Sequence, residues 1–475
     1  RSDMSEYREE VLNKLKVGSL TNLNESLNYS FGPQWVSWFK PNFSYNTNYT
    51  WNKPLNSVID AANLNLVKNT AINLSISPTE IIETFYTPLS KRQSKPSSRT
   101  RSRGLSSFNS EEDKDEETQK DSPEKKNSSE INSLFLERIY NESKKIEPLT
   151  LTITNNTNRL SNGIDGDVPL GYRLGLKDSH GLSSVSEVGL NTGNEDIKKS
   201  FTARSGIRFN PQTSLSISFN ESISSNINGY SIDIRSISRD YISFGNNLSK
   251  GFPFLNWSFR IGGLEKISFI KPYVSSVSLE HAFSGKQNLS WKFNEDGITP
   301  INLFGISSFE DDFNDSLQLS RVTRSFSPLI GISTSFKNGV STNIRSNITH
   351  TLDEVATGLT YISDNSILAT ITYNFSKGIR FELPFTDRNI NLRNNMNISL
   401  NFDFSNKKEE GSKDKINFVE QNFSNTRKSI LRITYTLTDD VTGSLFYEYR
   451  ENDTRLTGRR IDRDFGINLN VAIRG

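Results

Sequence analysis

The feature that most constrains this chain is a period of two. Over long stretches apolar residues take every second position, and Asn, Ser and Thr dominate the positions between. Phe43, Tyr45, Tyr49 and Trp51 alternate with Ser44, Asn46, Asn48 and Thr50. Leu215, Ile217 and Phe219 alternate with Ser216 and Ser218, and Leu255, Trp257, Phe259 and Ile261 with Asn256, Ser258 and Arg260. The last third is clearest: Met396, Ile398, Leu400, Phe402 and Phe404, then Leu431 to Leu437, Val441 to Tyr449, and Phe465 to Ile473. Successive side chains of a strand point to opposite faces, so each run has one apolar and one polar face. Roughly 14 such runs are present, several of about 9–11 residues, the length a tilted strand needs to cross a bilayer. The expected fold class is all-β: an antiparallel transmembrane β-barrel, or a segment of a very large one, with long polar loops and one disordered charged insert.

A soluble β-sandwich also alternates, but its strands average about 5–6 residues and its solvent face usually carries more Lys and Glu. No run of about 18 apolar residues exists, which excludes a membrane protein built of helices. With 30 Phe, 15 Tyr and 5 Trp the chain is too aromatic to be disordered throughout. It has no Cys, which excludes disulfides, thiolate metal sites and Cys nucleophiles. Lys+Arg is 56 against Asp+Glu 54, a balance that argues against a nucleic-acid binder. Arg1 is not an initiator Met and no basic-then-apolar leader opens the chain, so a secretory signal is expected to be absent or already removed.

Turn chemistry separates the runs. Lys337-Asn338-Gly339, Thr438-Asp439-Asp440, Asn210-Pro211-Gln212-Thr213 and Ser376-Lys377-Gly378 read as tight connections. Asn406 to Lys428 and Glu451 to Arg460 read as longer charged loops. The chain divides into first barrel strands (1–87), a charged insert (88–147) and the remaining strands (148–475). Ser110 to Glu130 has almost no apolar residue and is expected to be disordered, while Ile131 to Ile146 has the makings of a short helix.

Sites of chemistry are sparse. His180, His281 and His350 lie far apart, and ordinary structural histidines are the better reading than a metal centre. Glu310-Asp311-Asp312-Phe313-Asn314-Asp315 gathers carboxylates without the Gly and closing Glu of a calcium loop, and reads as a solvated acidic loop. No nucleophile elbow or phosphate loop is present, and no enzyme, cofactor or metal is expected. Trp35, Trp38, Trp51, Trp257 and Trp291 are candidates for the aromatic girdle of a barrel, with a sugar-stacking platform as the lesser alternative. Arg455, Arg459, Arg460 and Arg463 cluster between the last two strands, where they read as a solvated hairpin or as a contact for lipid phosphate or a partner.

Several stretches, taken in order, resemble one family. They are Trp35-Val36-Ser37-Trp38-Phe39-Lys40-Pro41-Asn42-Phe43-Ser44-Tyr45, the strand Leu64 to Ile76 with the charged insert after it, and Leu149-Thr150-Leu151-Thr152-Ile153-Thr154-Asn155-Asn156 leading through Gly163 to Pro169-Leu170-Gly171-Tyr172. Phe381-Glu382-Leu383-Pro384-Phe385 and Asp464-Phe465-Gly466-Ile467 follow near the end. Together they are similar to the carboxy-terminal part of the SprA family, the giant outer-membrane translocons of type IX secretion and gliding motility. The chain departs from that family in ending on Ala472-Ile473-Arg474-Gly475 rather than an aromatic residue, in the acidic character of its insert, and in lacking the amino-terminal bulk. The resemblance implies a wall of a very wide barrel in the outer membrane of a Gram-negative bacterium. Its lumen would pass folded secreted cargo, and its partners would be outer-membrane lipid, a PorV-type shuttle barrel and a plug protein. The alternatives are a self-contained outer-membrane channel or receptor for small solutes and, further off, a soluble adhesin-like β-protein.

The insert supplies a direct check. Trypsin should cut between Lys91 and Lys126 before it cuts any strand, as read by the first fragments on a digestion time course; resistance of that segment would refute the expected disorder.

Overall fold

Where the alternation runs, the chain is extended and paired with its neighbour in sequence. The computed structural model describes residues 21–53, 61–88, 127–183, 193–228, 232–244, 248, 250–293, 317–375, 379–382, 389–392, 394–438 and 440–472. The elements are β1 (Asn22–Phe31), β2 (Phe39–Asn52), β3 (Ala62–Ile76), α1 (Pro78–Phe85), α2 (Asn127–Ser143), β4 (Leu149–Ile164), α3 (Leu170–Arg173), β5 (Gly193–Asn210), β6 (Thr213–Asn228) and β7 (Ile232–Ser243). They continue as β8 (Gly251–Pro253), β9 (Asn256–Gly262), β10 (Val274–Phe293), β11 (Leu317–Phe336), β12 (Val340–Val355), β13 (Gly358–Phe375), β14 (Ile379–Glu382), β15 (Asn389–Leu392), β16 (Met396–Ser412), β17 (Val419–Thr438), β18 (Val441–Thr454) and β19 (Gly458–Val471). The fold is all-β and antiparallel, as expected. One sheet holds 17 strands, and β14 and β15 form a separate hairpin.

The strands are longer than the hydrophobic period suggests. β10, β11 and β17 each have 20 residues. The segments Asn406 to Lys428 and Glu451 to Arg460, expected as charged loops, are largely strand: β16 pairs β17 from Met396↔Tyr435 to Gly411↔Val419, and only 455–457 separate β18 from β19. The reason is physical. Ladder hydrogen bonds do not require an apolar face, so pairing continues where both faces are polar and the period of two disappears from the sequence.

Following the pairs shows which residues share a face. On one face lie Phe43 (β2), Ile72 (β3), Ile153 (β4), Phe201 (β5), Ile371 (β13), Leu400 (β16), Leu431 (β17), Tyr447 (β18) and Phe465 (β19), each linked to its neighbours through the registers. This face carries an apolar belt toward one end of the strands, here the lower end. On β16 the belt runs Met396, Ile398, Leu400, Phe402, Phe404, and above it the same face continues as Asn406 and Lys408. The opposite face is mostly Asn, Ser and Thr, with scattered charges and a few apolar residues such as Leu368 and Phe446.

The polar face is concave. A cavity of about 1010 Å³ is lined by Ser75 of β3, Thr150 of β4, Arg204 of β5, Ser216 of β6, Asn256 of β9 and Ala282 of β10, so six adjoining strands curl around one space. The helices hang below this opening. Ser77 Oγ accepts from the Glu80 N–H to start α1, and Tyr86 and Tyr140 donate to Glu137 and Glu83 across the two helices at 2.7 and 2.9 Å. α2 falls where a short helix was expected. α1 was not expected, although Ser77-Pro78-Thr79-Glu80 spells a helix start. The disorder expected over 110–130 lies mostly outside the described residues.

One strand is split. β6 pairs β7 through Glu221↔Arg239 and β9 through Leu215↔Phe259, and β10 pairs the same two through Gln287↔Arg239 and Leu279↔Ile261. β7 and β9 are therefore two collinear halves of one wall position. Between them the chain steps out of the wall onto the belt face, where β8 pairs back on Tyr241–Ser243. Gly285 makes that step possible: a Cβ there would overlap the Tyr241 carbonyl oxygen. Gly285→Val should cost about 1–3 kcal/mol of stability or more by overpacking. Gly443→Ala, whose new Cβ would meet nothing closer than 3.6 Å, should be nearly neutral. Urea midpoints of the two variants against the parent check the contrast.

Candidate functional site

The buried side chains do not lie under the belt. Tyr49, Leu64, Leu66, Ile164 and Tyr172 form one cluster, and Tyr241, Leu248 and Val322 another, both on the belt face but above it. In the belt itself nothing covers the side chains: Ile344 is 42% exposed, Ile367 47%, and Phe465 and Ile467 on the edge strand 65% and 71%. A soluble sheet buries its apolar face against a second layer. Among the described residues no second layer covers this one.

Two clamps hold the upper half. In the first, residues 165–182 fold down on β2–β4. Gly175, at φ +70°, comes so close to the wall that a Cβ would stand 2.9 Å from Thr47 Cγ2 and from the Tyr45 hydroxyl. Tyr45 donates to the Leu174 carbonyl at 2.7 Å, and Lys68 to that of Gly175 at 3.3 Å. Tyr172 is buried edge-on between Tyr49 and His180. Arg159 donates to Asp178 at 2.9 Å and to Glu195 at 2.5 Å, Lys68 meets Asp178 at 3.2 Å, and Arg173 grips Glu25 of β1. The second clamp is the excursion between β7 and β9. Tyr241 and Leu248 pack on Val322, with Leu352 and Tyr361 beside them. Phe244, Phe252 and Phe254 are left exposed at the upper rim of the belt, with ring centroids 6.0 and 5.7 Å apart in sequence.

The polar face satisfies itself across strands. Ser224 meets Ser236 at 2.7 Å, Ser325 meets Thr349 at 2.9 Å, and Asn343 donates to Ser333 at 3.1 Å. Some of its charges are paired: Arg345 with Glu280 at 2.9 Å, Lys428 with Glu448 at 3.1 Å, and Arg321 with both oxygens of Asp353 at 2.6 and 2.8 Å. Such a surface stays wet.

The candidate residues are distributed as follows. Trp35 and Trp38 sit in the connection below β1 and β2, at the lower rim. Trp257 stacks on Phe283 at the upper rim, 4.3 Å between centroids. Trp51 packs beside the first buried cluster and Trp291 is buried high on β10, both above the belt. The four arginines part. Arg455 donates to the Gln421 carbonyl at 2.7 Å from the turn, and Arg460 pairs with Asp462 on the polar face. Arg463 lies on the belt face one same-face step above Phe465, and Arg459, held by Glu451 at 2.8 Å, two further steps up. The histidines are dispersed: His180 beside Tyr172, His281 against the Leu329 carbonyl at 2.7 Å, His350 against the Tyr361 hydroxyl at 2.7 Å. No group able to hold a metal occurs among the described residues, and the acidic loop 310–315 lies outside them. Gly175, Gly285, Arg159 and the three phenylalanines were not singled out from sequence, because their roles depend on which loop folds back on which strand.

The first clamp is acid-sensitive. Hydrogen bonding from Arg159, with Lys68 nearby, holds the Asp178 carboxyl below the usual carboxylate range, and burial holds His180 below its ordinary value. A depressed carboxyl stabilises the docked loop above its unfolded value near ~4 and loses that contribution as pH falls further; a depressed histidine loses its contribution as pH falls below ~6.5. The protection factors of the amides over 165–182, exchange rates divided into the intrinsic rate at each pH, should therefore fall in two stages on acidification. Asp178→Asn should lower them at pH 7 and erase the lower stage.

No family model matches the chain, and no curated protein matches it. Among solved structures it is similar to BauA, the ferric preacinetobactin receptor from Acinetobacter baumannii, at 7% identity. That match covers 96% of this chain and 74% of the receptor with a TM-score of 0.26. A superposition that loose identifies neither ligand nor partner for this chain.

Proposed function

We propose that this chain forms part of the wall of an outer-membrane barrel whose polar lumen conducts proteins. The observation that carries the reading is the uncovered belt on the convex face of a wall whose concave face is Asn, Ser and Thr. Five same-face residues, as in Met396 to Phe404, span about 27 Å along the strand at ~3.4 Å per residue. A tilt of ~40° brings that to roughly 20 Å of hydrocarbon, and flanking rings extend it toward the ~25 Å band of such barrels. Trp35, Trp38, Trp257 and the Phe244–Phe252–Phe254 trio then lie at the two interfaces, and Arg459, in register with Asn406 above the belt, at the level of lipid phosphates.

The finer reading is that of the SprA resemblance: a segment of the type IX translocon, passing folded cargo with a PorV-type shuttle and a plug. A polar face whose hydroxyls and amides bond one another across strands supports it, since a folded protein has to slide past without sticking. No catalysis is assigned to the wall. Under this reading α1 and α2 lie at the membrane-proximal end of the wall, below the lumen.

Two measurements test the proposal. An antibody to Asp115–Lys126 should detect an outer-membrane product far larger than the 53.8 kDa of this chain, whereas a heat-shifted band near that mass would favour a self-contained solute channel. Leu400→Arg, at the middle of the belt on β16, should cost about 2–4 kcal/mol, while Asn401→Arg on the polar face of the same strand should cost far less. Equal effects of the two in a refolding titration into lipid would sink the membrane reading.

A further inference from the structure

Above the belt, the outward face of β17–β19 differs in its charges from the rest of the wall. Elsewhere on that face Lys408 meets Glu410 at 2.6 Å and Glu420 at 3.5 Å, Arg159 meets Glu195 and Asp178, and Arg173 meets Glu25. On the last three strands the registers stack same-face rows: Leu431, Tyr447 and Phe465 in the belt, then Ser429, Tyr449 and Arg463, then Arg427, Glu451 and Ile461. Asp453 and Arg459 face each other one row higher. Arg427 also stands beside Phe404, the top of the belt on β16.

Both oxygens of Glu451 are engaged from within the cluster. Arg459 donates to one at 2.8 Å and the Tyr449 hydroxyl to the other at 2.9 Å. Three guanidiniums thus share two carboxylates, and among the described residues the side chains of Arg427 and Arg463 make neither a hydrogen bond nor an ion pair. Both are exposed, and both rise beside uncovered rings, Phe404 and Phe465. An unpaired cation at the edge of hydrocarbon draws a counter-ion, because a low dielectric strengthens the attraction. The guanidinium fork takes phosphate oxygens two at a time, and its long aliphatic stem lets Arg463 lift its charge toward Arg427. Two such forks match a dianionic phosphomonoester better than the singly charged phosphodiester of a common phospholipid.

We propose that Arg427 and Arg463 form a site for a phosphomonoester on the headgroup of a membrane lipid, whose acyl chains lie along Tyr447, Phe465 and Ile467. Glu451, held by Tyr449 and Arg459, opposes the phosphate and so limits the strength of the site. The inference rests on the membrane reading and adds to it a specific lipid ligand.

The test uses the full gene product, purified in dodecyl maltoside and captured on beads at pH ~8, where a phosphomonoester is doubly charged. It is offered mixed micelles of diphosphoryl lipid A or phosphatidic acid, both monoesters, or of phosphatidylglycerol, a diester. Lipid left after washing is counted by mass spectrometry. At least one monoester should be retained about fivefold over the diester, and the better of the two identifies the source. Arg427→Gln with Arg463→Gln should lower monoester retention about tenfold. Arg460→Gln, which removes the same charge from the opposite face of β19, should leave it within about twofold. Glu451→Gln should raise it, a gain that loss of structure does not mimic. Failure to retain either monoester, diester retention equal to that of both, an equal loss in Arg460→Gln, or no gain in Glu451→Gln would overturn the site. A gene product that stays in solution without detergent and retains none of the three lipids would overturn the membrane reading itself.

Discussion

Backbone hydrogen bonding is the constraint behind the rest: on the proposed membrane reading the belt faces hydrocarbon, which offers no partner, so each N–H and C=O finds its own in the adjacent strand. That requirement explains the uninterrupted antiparallel pairing and the long registers with few shifts. It also explains why His281, a polar side chain in the belt, sits where β11 bulges between Phe326 and Ile330: the break frees the Leu329 carbonyl to receive the ring.

The internal packing that stabilises the chain is concentrated above the belt. Side chains such as Tyr49, Leu64, Leu66 and Tyr172 are buried almost completely, each worth about 1.5–3 kcal/mol by transfer from water. They are buried because two loops fold back over the wall where its outer face has turned polar, and charged residues such as Arg159 and Arg173 fasten the first of them. The lower half has no such cover. On the proposed membrane reading its stability depends on the surrounding phase, so the two halves of the same strands answer to different conditions: acid and charge above, the apolar environment below.

Much of this was legible in the sequence, and the rest was hidden for identifiable reasons. The alternation in Met396 to Phe404 or Phe465 to Val471 announces strand, facing and belt together, because an apolar face has to repeat every second residue. The polar ends of the strands do not announce themselves: Gly193-Asn194-Glu195-Asp196 and Lys407-Lys408-Glu409-Glu410 read as loop and are ladder. The arginines near the last hairpin are adjacent in sequence, yet they part to opposite faces because Arg459 and Arg460 differ by one step of the pleat. The clamps were invisible because they join residues over a hundred positions apart, as Tyr45 to Leu174, through glycines whose local sequence says nothing about what they will approach.

The split strand also bears on how the wall forms. Elsewhere, apart from the β14–β15 hairpin between β13 and β16, each strand pairs with the next strand in sequence, across connections that range from tight turns to the insert between β3 and β4. At β6 this progression halts. β7 can dock on the upper half of β6, but the lower half stays open until the chain has run out through β8 and returned as β9, and both halves are secured only when β10 arrives to span them. Assembly thus has a built-in pause in the middle of the chain, and the strands on either side of it can mature as two separate blades before β10 joins them.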